Sequence, residues 1–327
     1  MKAAVLTQPG RIEIKEVPRP EPGPGEVLIR VHLAGVCGSD YSVYRGKMPV
    51  PLPVIPGHES VGIVESLGPG VTGLARGRRV TLNPNVACGN CGLCRSGRRN
   101  ICSSKIRLGL DADGVFAEYV KVPAGYVWPV PEGIPDEIAA LTEPLAVARH
   151  ALNFAAPGPE DQVLIYGAGV IGLMTLLLAA DKRAGLSAFD LMDSHLKLAE
   201  ELGAQEVFSD FDRLARRAVG FDLIFETSGA PDALARAVQL AAPGGRIVLL
   251  GLPGQEHPVF TTPIVRKELT IMGSMIYTDE FPVVLDYLSS GPAKLPSLIT
   301  GVTPLEEIGR VLDDFAAPDR IKILIKI

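Results

Sequence analysis

Residues 163–172 of this 327-residue sequence, VLIYGAGVIG, are the most informative about its fold. Its first four residues form a continuous apolar run, which is typical of a strand buried on both faces. The run ends in a glycine-rich turn, and the apolar residues after it predict a helix from about residue 170 to 180. A buried strand that passes through a tight turn into a helix is the repeating unit of a parallel sheet.

The same alternation continues for about a hundred residues. Strands are predicted at 186–190, 221–226, 246–250 and 269–272, and helices at 194–202, where Gly203 ends the helix, and at 231–240. Alternating strands and helices imply a doubly wound parallel sheet, an α/β fold.

The glycines at 167, 169 and 172 have the spacing of a dinucleotide-binding turn. Gly167 permits the tight turn, Gly169 lets a pyrophosphate approach the backbone, and Gly172 packs the helix on the strand. The spacing alone is weak, since small residues are common in turns. Its position between a strand and a helix favours the nucleotide site over a plain turn.

Two further features of this segment suit a dinucleotide. Val170 and Ile171 open the helix, where free N–H groups and the positive end of the helix dipole attract phosphate. Asp190 ends the next predicted strand, where its carboxylate can accept hydrogen bonds from both ribose hydroxyls.

The first 145 residues differ from this central part. Short runs such as 12–14, 27–31 and 61–64 alternate with Pro and Gly clusters and predict a barrel-like β domain. The tail carries Thr303-Pro304-Leu305-Glu306, which predicts a capping box with Pro at the first helical position. A helix to about residue 315 and a final strand at 321–325 are expected after it.

Four of the five cysteines lie within fifteen residues, with the pattern Cys88-x2-Cys91-x2-Cys94-x7-Cys102. Thiolates at these spacings can close a tetrahedral site around zinc, and four protein ligands leave no position for a substrate. The spacing therefore predicts a structural zinc site. Two alternatives are four unligated thiols, and a nucleic-acid-binding zinc ribbon, since Arg95, Arg98 and Arg99 lie nearby.

Composition and charge limit the partners. Hydrophobic residues are 47% of the chain, charged residues 21%, and the formal net charge of −5 argues against a nucleic-acid partner. The longest apolar run, residues 169–180, is shorter than the roughly 20 residues that a membrane span needs. The apolar stretch at residues 1–6 is too short for a signal peptide core. We expect a cytoplasmic protein without a membrane partner.

A third set of candidate residues is dispersed. Cys37 lies in Gly-Val-Cys-Gly-Ser-Asp, His58 and Glu59 in Gly-His-Glu, and Glu143 in Thr-Glu-Pro. Thiolate, imidazole and carboxylate are all zinc ligands, and an incomplete protein shell leaves room for water or substrate. Taken singly, each has a simpler interpretation, since a lone cysteine is usually a small buried hydrophobe.

These motifs together resemble the zinc-containing alcohol dehydrogenases of the medium-chain dehydrogenase/reductase family. The resemblance covers essentially the whole chain and lies in GVCGSD at 35–40, GHE at 57–59, the four cysteines, EPLAVA at 143–148 and GAGVIG at 167–172. It implies a split GroES-like catalytic domain, residues 1–148 and 278–327, around a Rossmann NAD-binding domain, residues 149–277. Homodimers or homotetramers, paired through the edge of the Rossmann sheet, are usual in the family.

The resemblance also implies site residues. A catalytic zinc would be held by Cys37 and His58 and completed by Glu59 or Glu143, with Ser39 as the group that takes the proton from the bound alcohol. Glu143 stands where the primary-alcohol branch has a cysteine, which is closer to the sorbitol, butanediol and threonine dehydrogenase branches.

Two positions depart from many relatives. Ser42 stands where a His commonly ends the proton relay, and His195, a further candidate cofactor contact, stands where many relatives have an Arg.

The sequence thus predicts a zinc-dependent oxidoreductase that transfers a hydride between NAD and a secondary alcohol or polyol. Three alternatives stay open at this point: a sugar- or polyol-phosphate dehydrogenase, an L-threonine 3-dehydrogenase, and a non-catalytic protein that binds zinc and a nucleotide.

Overall fold

Strands form the framework of the chain, which we describe from a computed structural model that covers residues 1–180, 182 and 184–327. The strands are β1 (Lys2–Gln8), β2 (Arg11–Glu16), β3 (Glu26–Gly35), β4 (Glu59–Leu67), β5 (Arg79–Leu82), β6 (Asn85–Val86), β7 (Ile106–Arg107), β8 (Tyr119–Pro123), β9 (Val127–Pro129), β10 (Gln162–Tyr166), β11 (Gly185–Phe189), β12 (Glu206–Phe208), β13 (Phe221–Glu226), β14 (Ala241–Leu249), β15 (Thr270–Gly273), β16 (Ile299–Pro304) and β17 (Lys322–Lys326).

Helices connect these strands. The α-helices are α1 (Gly38–Tyr44), α2 (Gly92–Arg95), α3 (Asp136–Ala139), α4 (Thr142–Phe154), α5 (Val170–Ala180), α6 (Asp193–Leu202), α7 (Phe211–Ala215), α8 (Ala233–Leu240), α9 (Thr261–Arg266), α10 (Phe281–Ser289) and α11 (Ile308–Asp313). Short 3₁₀ helices span Arg99–Ile101, Ala124–Tyr126, Leu295–Leu298 and Leu305–Glu307.

The described chain divides into two compact units. One comprises Met1–Glu143 together with Thr278–Ile327, and the other comprises Pro144–Tyr277. The first unit therefore takes residues from both ends of the chain, while the second is a continuous segment.

The continuous unit contains a six-stranded parallel sheet in the order β12-β11-β10-β13-β14-β15. The apolar residues Val163, Leu164 and Ile165 of β10 are fully buried at its centre, as expected of a strand covered on both faces. Chain order 3-2-1-4-5-6 is that of the dinucleotide-binding doubly wound fold. The predicted parallel sheet and the helix after residue 170 are thus confirmed.

The two-segment unit is built on a sheet in the order β16-β17-β3-β4-β5-β9, with β8 also paired to β3. The long strand β3 pairs antiparallel with β4 along one edge, and with β8 and β17 along the other. Its inward-facing residues, among them Val27, Ile29 and Val31, belong to the core of this unit. Because β17 is the last strand, the C-terminus is fixed beside a strand from the first 35 residues.

The tail corrects one prediction. Thr303 and Pro304 do not form a capping box; they end β16, where they pair in parallel with Ile325 and Lys326 of β17. Pro304 lacks an N–H but is tolerated because β16 is an edge strand. A 3₁₀ turn follows, and the helix α11 begins only at Ile308. The backbone at these residues is held by the pairing of β16 with β17, so the predicted capping box does not form.

None of the helices that the structure describes is both long enough and apolar enough to cross a lipid bilayer.

The glycine turn after β10 generates a stability prediction. A Cβ at Gly172 would lie 1.9 Å from the carbonyl oxygen of Gly167, whereas one at Gly169 would meet nothing within 4 Å. Gly172→Ala should therefore push α5 away from the turn and destabilise the protein by about 1–3 kcal/mol. Scanning calorimetry and urea unfolding measure the loss.

Gly169→Ala is the matched control, since it adds the same methyl group three residues away in open space. We expect its unfolding to match that of the wild type. Equal stability of the two variants would contradict the close packing of α5 on the turn.

Candidate active site and metal centres

Cys37, His58 and Glu59 lie together in the two-segment unit. Cys37 follows the end of β3, and Glu59 is the first residue of β4, opposite Gly35 in the strand pairing. One ligand atom from each of the three residues lies within 4.8 Å of the others. A thiol, an imidazole and a carboxylate this close are a donor set that suits zinc.

Asp40 organises this cluster. Its carboxylate is buried and accepts hydrogen bonds from the Cys37 N–H at 2.9 Å and the Gly57 N–H at 3.1 Å. Its Oδ1 also lies 3.3 Å from Nδ1 of His58. Burial by itself lowers the pKa of His58, but the charge and hydrogen bonding of Asp40, with a smaller contribution from Cys37, raise it well above its usual value. Asp40 thus links the two loops that carry the ligands.

A buried lysine pairs with the third ligand of the cluster. Nζ of Lys322, the first residue of β17, lies 2.8 Å and 2.7 Å from the two carboxylate oxygens of Glu59. Its third hydrogen bond goes to the Val36 carbonyl at 3.0 Å. Burial lowers the pKa of Lys322, but the charges of Glu59, Cys37 and Glu143 outweigh it and the pKa is raised.

The other predicted residues of the cluster take different places. Oγ of Ser39 lies 3.5 Å from Nε2 of His58, on the side of the ring opposite Asp40. Ser42 donates its hydroxyl proton to the Gly38 carbonyl at 2.9 Å, within α1. Glu143 is buried near the start of α4 and, among the described residues, is not part of the 4.8 Å group.

The four clustered cysteines form a zinc site of the structural type. Their ligand atoms lie within 4.8 Å of one another, with Sγ–Sγ distances of 3.5 Å for Cys88 and Cys102 and 3.8 Å for Cys88 and Cys94. Cys91 is the N-cap of the short helix α2, and its sulfur accepts a hydrogen bond from the Cys94 N–H. Four thiols supply all the ligands of a tetrahedral zinc site, so no position is left for a substrate.

The thiols of the four cysteines differ in pKa because their surroundings differ. Backbone N–H groups of Asn90 and Cys91 lower the pKa of Cys88 to about 6. Burial raises the pKa of Cys94 to about 12. The Cys88 thiol therefore loses its proton more readily than the Cys94 thiol, and binding of a metal requires both to be deprotonated.

The glycine turn of the continuous unit has the geometry of a phosphate cradle. Gly167 has φ of +102°, and a Cβ there would lie 2.7 Å from the Ser228 backbone nitrogen, so only glycine fits. The space beside Gly169 is open. The first N–H groups of α5 have no partner within the helix and face the turn that precedes it.

Asp190 follows β11 and holds the loop beside the glycine turn. Its carboxylate accepts hydrogen bonds from the Ala168 N–H at 2.7 Å and the Met192 N–H at 2.9 Å. Burial raises the pKa of Asp190, but the neighbouring His195 ring and the hydrogen bonds from the Met192 and Ala168 N–H groups outweigh it and the pKa is lowered. A carboxylate has about four acceptor positions, so ionised Asp190 can still accept from a ligand.

His195 lies in the first turns of α6, with Nδ1 3.5 Å from Oδ1 of Asp190. Among the described residues, both of its ring nitrogens are buried without a hydrogen-bond partner. Such groups are rare in folded proteins, and a polar ligand is one physical explanation for them.

Sequence reasoning missed two residues of the metal cluster. Asp40 stands inside the motif at 35–40, but nothing in the sequence distinguished it from a surface aspartate. No sequence pattern indicated a role for Lys322, because a lysine in a terminal strand is ordinarily exposed. Its role depends on the pairing of β17 with β3.

Both halves of the chain match known family models. Residues 23–132 match the alcohol dehydrogenase GroES-like domain, and residues 170–290 match the zinc-binding dehydrogenase family. These matches confirm the predicted combination of a GroES-like domain with a Rossmann-like sheet.

Whole-chain relatives agree with them. The chain is 38% identical to L-threonine 3-dehydrogenase of Pyrococcus horikoshii over 92% of its own length and 90% of the relative's. It is 34% identical to the crystal structure of an alcohol dehydrogenase, rspB, from Escherichia coli CFT073 complexed with NADH, with a TM-score of 0.94 over 100% of this chain and 99% of the other. It is 31% identical to 2R,3R-butanediol dehydrogenase from Bacillus subtilis, with a TM-score of 0.90 over 100% and 99%.

The four-cysteine site generates a prediction on stability and metal content. Cys91→Ser replaces one thiolate with a hydroxyl group, which is a poor ligand for zinc. We expect the variant to lose about one equivalent of zinc per chain and to unfold at a lower temperature, because structural zinc contributes folding free energy directly. Elemental analysis and calorimetry on the same sample measure both.

Ser103→Ala, an exposed change beside Cys102, is the control and should keep the zinc content and Tm of the wild type. A wild-type protein that is stable with fewer than two zinc ions per chain would contradict one of the two metal sites.

Proposed function

Since the chain belongs to the zinc-containing medium-chain dehydrogenase/reductase family, we propose that it oxidises a secondary alcohol or polyol with NAD as the hydride acceptor. It is a zinc-dependent dehydrogenase. The substrate class and the preference for NAD over NADP are our proposals beyond this reaction type.

The substrate class is supported by what the relatives oxidise. Position 3 of L-threonine and both hydroxyl carbons of 2,3-butanediol carry secondary hydroxyl groups, and the relatives named for these substrates span nearly the whole chain. Glu143, in place of the cysteine of the primary-alcohol branch, points the same way. That both of these relatives are named for substrates with a secondary hydroxyl group is the single observation that carries the proposal.

We assign the metal to Cys37 and His58, with Glu59 or Glu143 as the further protein ligand. A zinc ion held there supplies a Lewis acid that lowers the pKa of a substrate hydroxyl. Ser39 lies beside His58 and accepts the hydroxyl proton. Asp40 keeps the His58 ring in place through its contact with Nδ1, which leaves Nε2 as the ligand atom.

Ser42 has no part in this proton transfer in the arrangement seen here. Its hydroxyl proton is donated to the Gly38 carbonyl, so it does not extend the path from Ser39. The His that is common at that position is absent, so the proton that Ser39 accepts leaves by a route that does not include Ser42.

We assign the cofactor to the continuous unit. The turn at Gly167, Gly169 and Gly172, together with the N–H groups of Val170 and Ile171, binds the pyrophosphate, and Asp190 accepts hydrogen bonds from the ribose hydroxyls. His195, whose ring nitrogens have no hydrogen-bond partner among the described residues, adds a polar contact on the adenosine side. The bound nicotinamide supplies the hydride acceptor.

Domain limits, assembly and location are also proposals. We place the GroES-like catalytic domain at 1–148 and 278–327 and the Rossmann domain at 149–277. β15 is an edge strand, and the exposed side of such a strand can pair with a second copy, so we propose a homodimer or a homotetramer. Cytoplasmic location stays a prediction from the sequence.

A substrate panel tests the reaction. Purified protein is mixed with NAD and, in turn, ethanol, 2,3-butanediol, sorbitol, L-threonine and a sugar-alcohol phosphate, and NADH is read by absorbance. We expect a secondary alcohol to give the highest kcat/KM. Ser39→Ala, which keeps the metal ligands, should lower kcat about 10²–10⁴-fold, the usual contribution of a positioned proton acceptor.

Each of the other results of the panel is informative. Ethanol as the best substrate would overturn the substrate class but leave the reaction type. A sugar-alcohol phosphate as the best substrate would favour a phosphate-specific enzyme. No NADH signal with any alcohol would favour a non-catalytic protein.

Cofactor preference is a separate prediction. The ionised Asp190 carboxylate should repel the 2′-phosphate of NADP, so the wild type should have a higher kcat/KM with NAD. Asp190→Asn keeps one of the two oxygen atoms that accept hydrogen bonds from the Ala168 and Met192 N–H groups, and it removes the charge. We expect it to narrow the NAD/NADP ratio by about tenfold or more, in line with the strength of hydrogen bonds to charged groups.

Asp193→Asn removes the same charge at an exposed position three residues away and should leave the ratio unchanged. A wild type that prefers NADP would refute the role of Asp190.

A further inference from the structure

A buried carboxylate with no part in the proposed reaction stands at the carboxyl end of the parallel sheet. Glu226 is the last residue of β13 and is 3% exposed. It lies opposite Tyr166, the last residue of β10, in the pairing of the two strands. The chain order of the sheet reverses between β10 and β13, and a dinucleotide binds outside the carboxyl ends of the strands at such a point. Glu226 is therefore located where the cofactor crevice is expected.

The side chain of Glu226 holds the loop that follows β13. Its Oε1 accepts hydrogen bonds from the Ser228 N–H at 2.8 Å, the Ser228 hydroxyl at 2.5 Å and the Gly229 N–H at 2.9 Å. Hydrogen bonds to an ionised acceptor are stronger than those between neutral groups. A buried carboxylate depends on such donors, because water does not replace them. The loop and the carboxylate therefore hold each other in place.

The loop after β14 is attached to the same residue. The backbone carbonyl of Glu226 accepts hydrogen bonds from the Leu250 N–H at 2.8 Å and the Gly251 N–H at 3.0 Å. A Cβ on Gly251 would lie 2.5 Å from Oε2 of Glu226 and 2.2 Å from the Gly229 nitrogen. The two loops are thus packed so closely around Glu226 that no side chain fits between them.

The loop after β13 also lies directly against the glycine turn. The Thr227 hydroxyl donates a hydrogen bond to the Gly167 carbonyl at 2.6 Å. A Cβ on Gly167 would lie 2.7 Å from the Ser228 nitrogen. A displacement of Ser228 would therefore change the space beside Gly167, in the turn where a pyrophosphate binds. Close contacts thus connect the Glu226 carboxylate with the turn through Ser228.

We propose that Glu226 is a positioning residue for the cofactor. Its carboxylate holds the Ser228–Gly229 loop against Gly167 and so keeps the glycine turn in the shape that binds the pyrophosphate. Glu226 acts through this loop and is not itself a ligand of the phosphates, since both carry negative charge. This role rests on the cofactor site proposed for the glycine turn.

Glu226→Gln tests this role, because it keeps the size of the side chain and removes the charge that the three loop donors share. We expect the Kd for NADH and the Kd for ADP-ribose to rise together by about tenfold, since hydrogen bonds to a charged group are the stronger ones. Both ligands contain the pyrophosphate. Binding of NADH to the zinc-loaded protein is followed by its fluorescence, and binding of ADP-ribose by displacement of NADH.

Asp222→Asn is the matched control. Asp222 lies near the other end of β13, where its carboxylate accepts a hydrogen bond from the Gln162 N–H at 2.8 Å. The variant also removes a charge from this strand and weakens a contact with β10, so some stability should be lost. Both Kd values should equal those of the wild type. An equal rise of the Kd values in Asp222→Asn would show a general effect of stability and would overturn the role of Glu226.

Amide hydrogen exchange reports on the loop itself. In Glu226→Gln, the peptide that contains the Ser228 and Gly229 N–H groups should exchange about tenfold faster than in the wild type, because these groups lose a charged acceptor. Ser228→Ala covers the case in which Glu226→Gln does not fold, since it removes only the hydroxyl donor. It should raise both Kd values by a smaller factor.

Three results would contradict the role of Glu226. These are wild-type Kd values for both ligands in the folded variants, wild-type exchange of the loop in Glu226→Gln, and weaker binding of NADH alone, since the shared pyrophosphate would then not be involved. Failure of the cofactor site itself looks different. Wild-type protein that binds neither NADH nor ADP-ribose would refute the site, whatever Glu226 does.

Discussion

The pairing of β3 with its neighbours is the constraint on which the metal cluster depends. β4 lies along one edge of β3 and β17 along the other, so the end of β3 is the point where three distant parts of the chain meet. Cys37 follows β3, Glu59 begins β4 and Lys322 begins β17. Lys322 and Glu59 are 263 residues apart in sequence, yet they form an ion pair of 2.7 Å. If β17 were displaced, Glu59 would lose its partner and the cluster its geometry.

Burial of charge at this point is costly, and the structure shows how the cost is offset. Asp40, Glu59 and Lys322 are all at most 1% exposed. Asp40 accepts two backbone N–H groups and faces His58, while Glu59 and Lys322 neutralise each other. Buried pairs of this kind contribute little net stability, but the loss of one partner is strongly destabilising. They are therefore best understood as devices that fix the positions of the ligands.

The two other sites are held by more local means. The four cysteines lie within fifteen residues, and a short helix with tight turns brings their sulfur atoms together. The glycine turn joins one strand to one helix, and its close contacts involve residues five positions apart, such as Gly167 and Gly172. Asp190 and Thr227 support it from the neighbouring strands, through hydrogen bonds to Ala168 and Gly167.

This difference between local and distant contacts explains which features could be predicted from the sequence. The parallel sheet, the glycine turn and the four-cysteine site could be read directly, because apolar periodicity and short spacings specify them within one or two elements. Cys37, His58 and Glu59 could be connected only through a family resemblance, since their spacing carries no geometric information. The roles of Asp40 and Lys322 become visible only in the folded chain. There, Thr303 lies at the end of a strand and not in the predicted capping box. Each of these depends on which strands pair, and strand pairing between distant segments is set by the packing of the whole sheet.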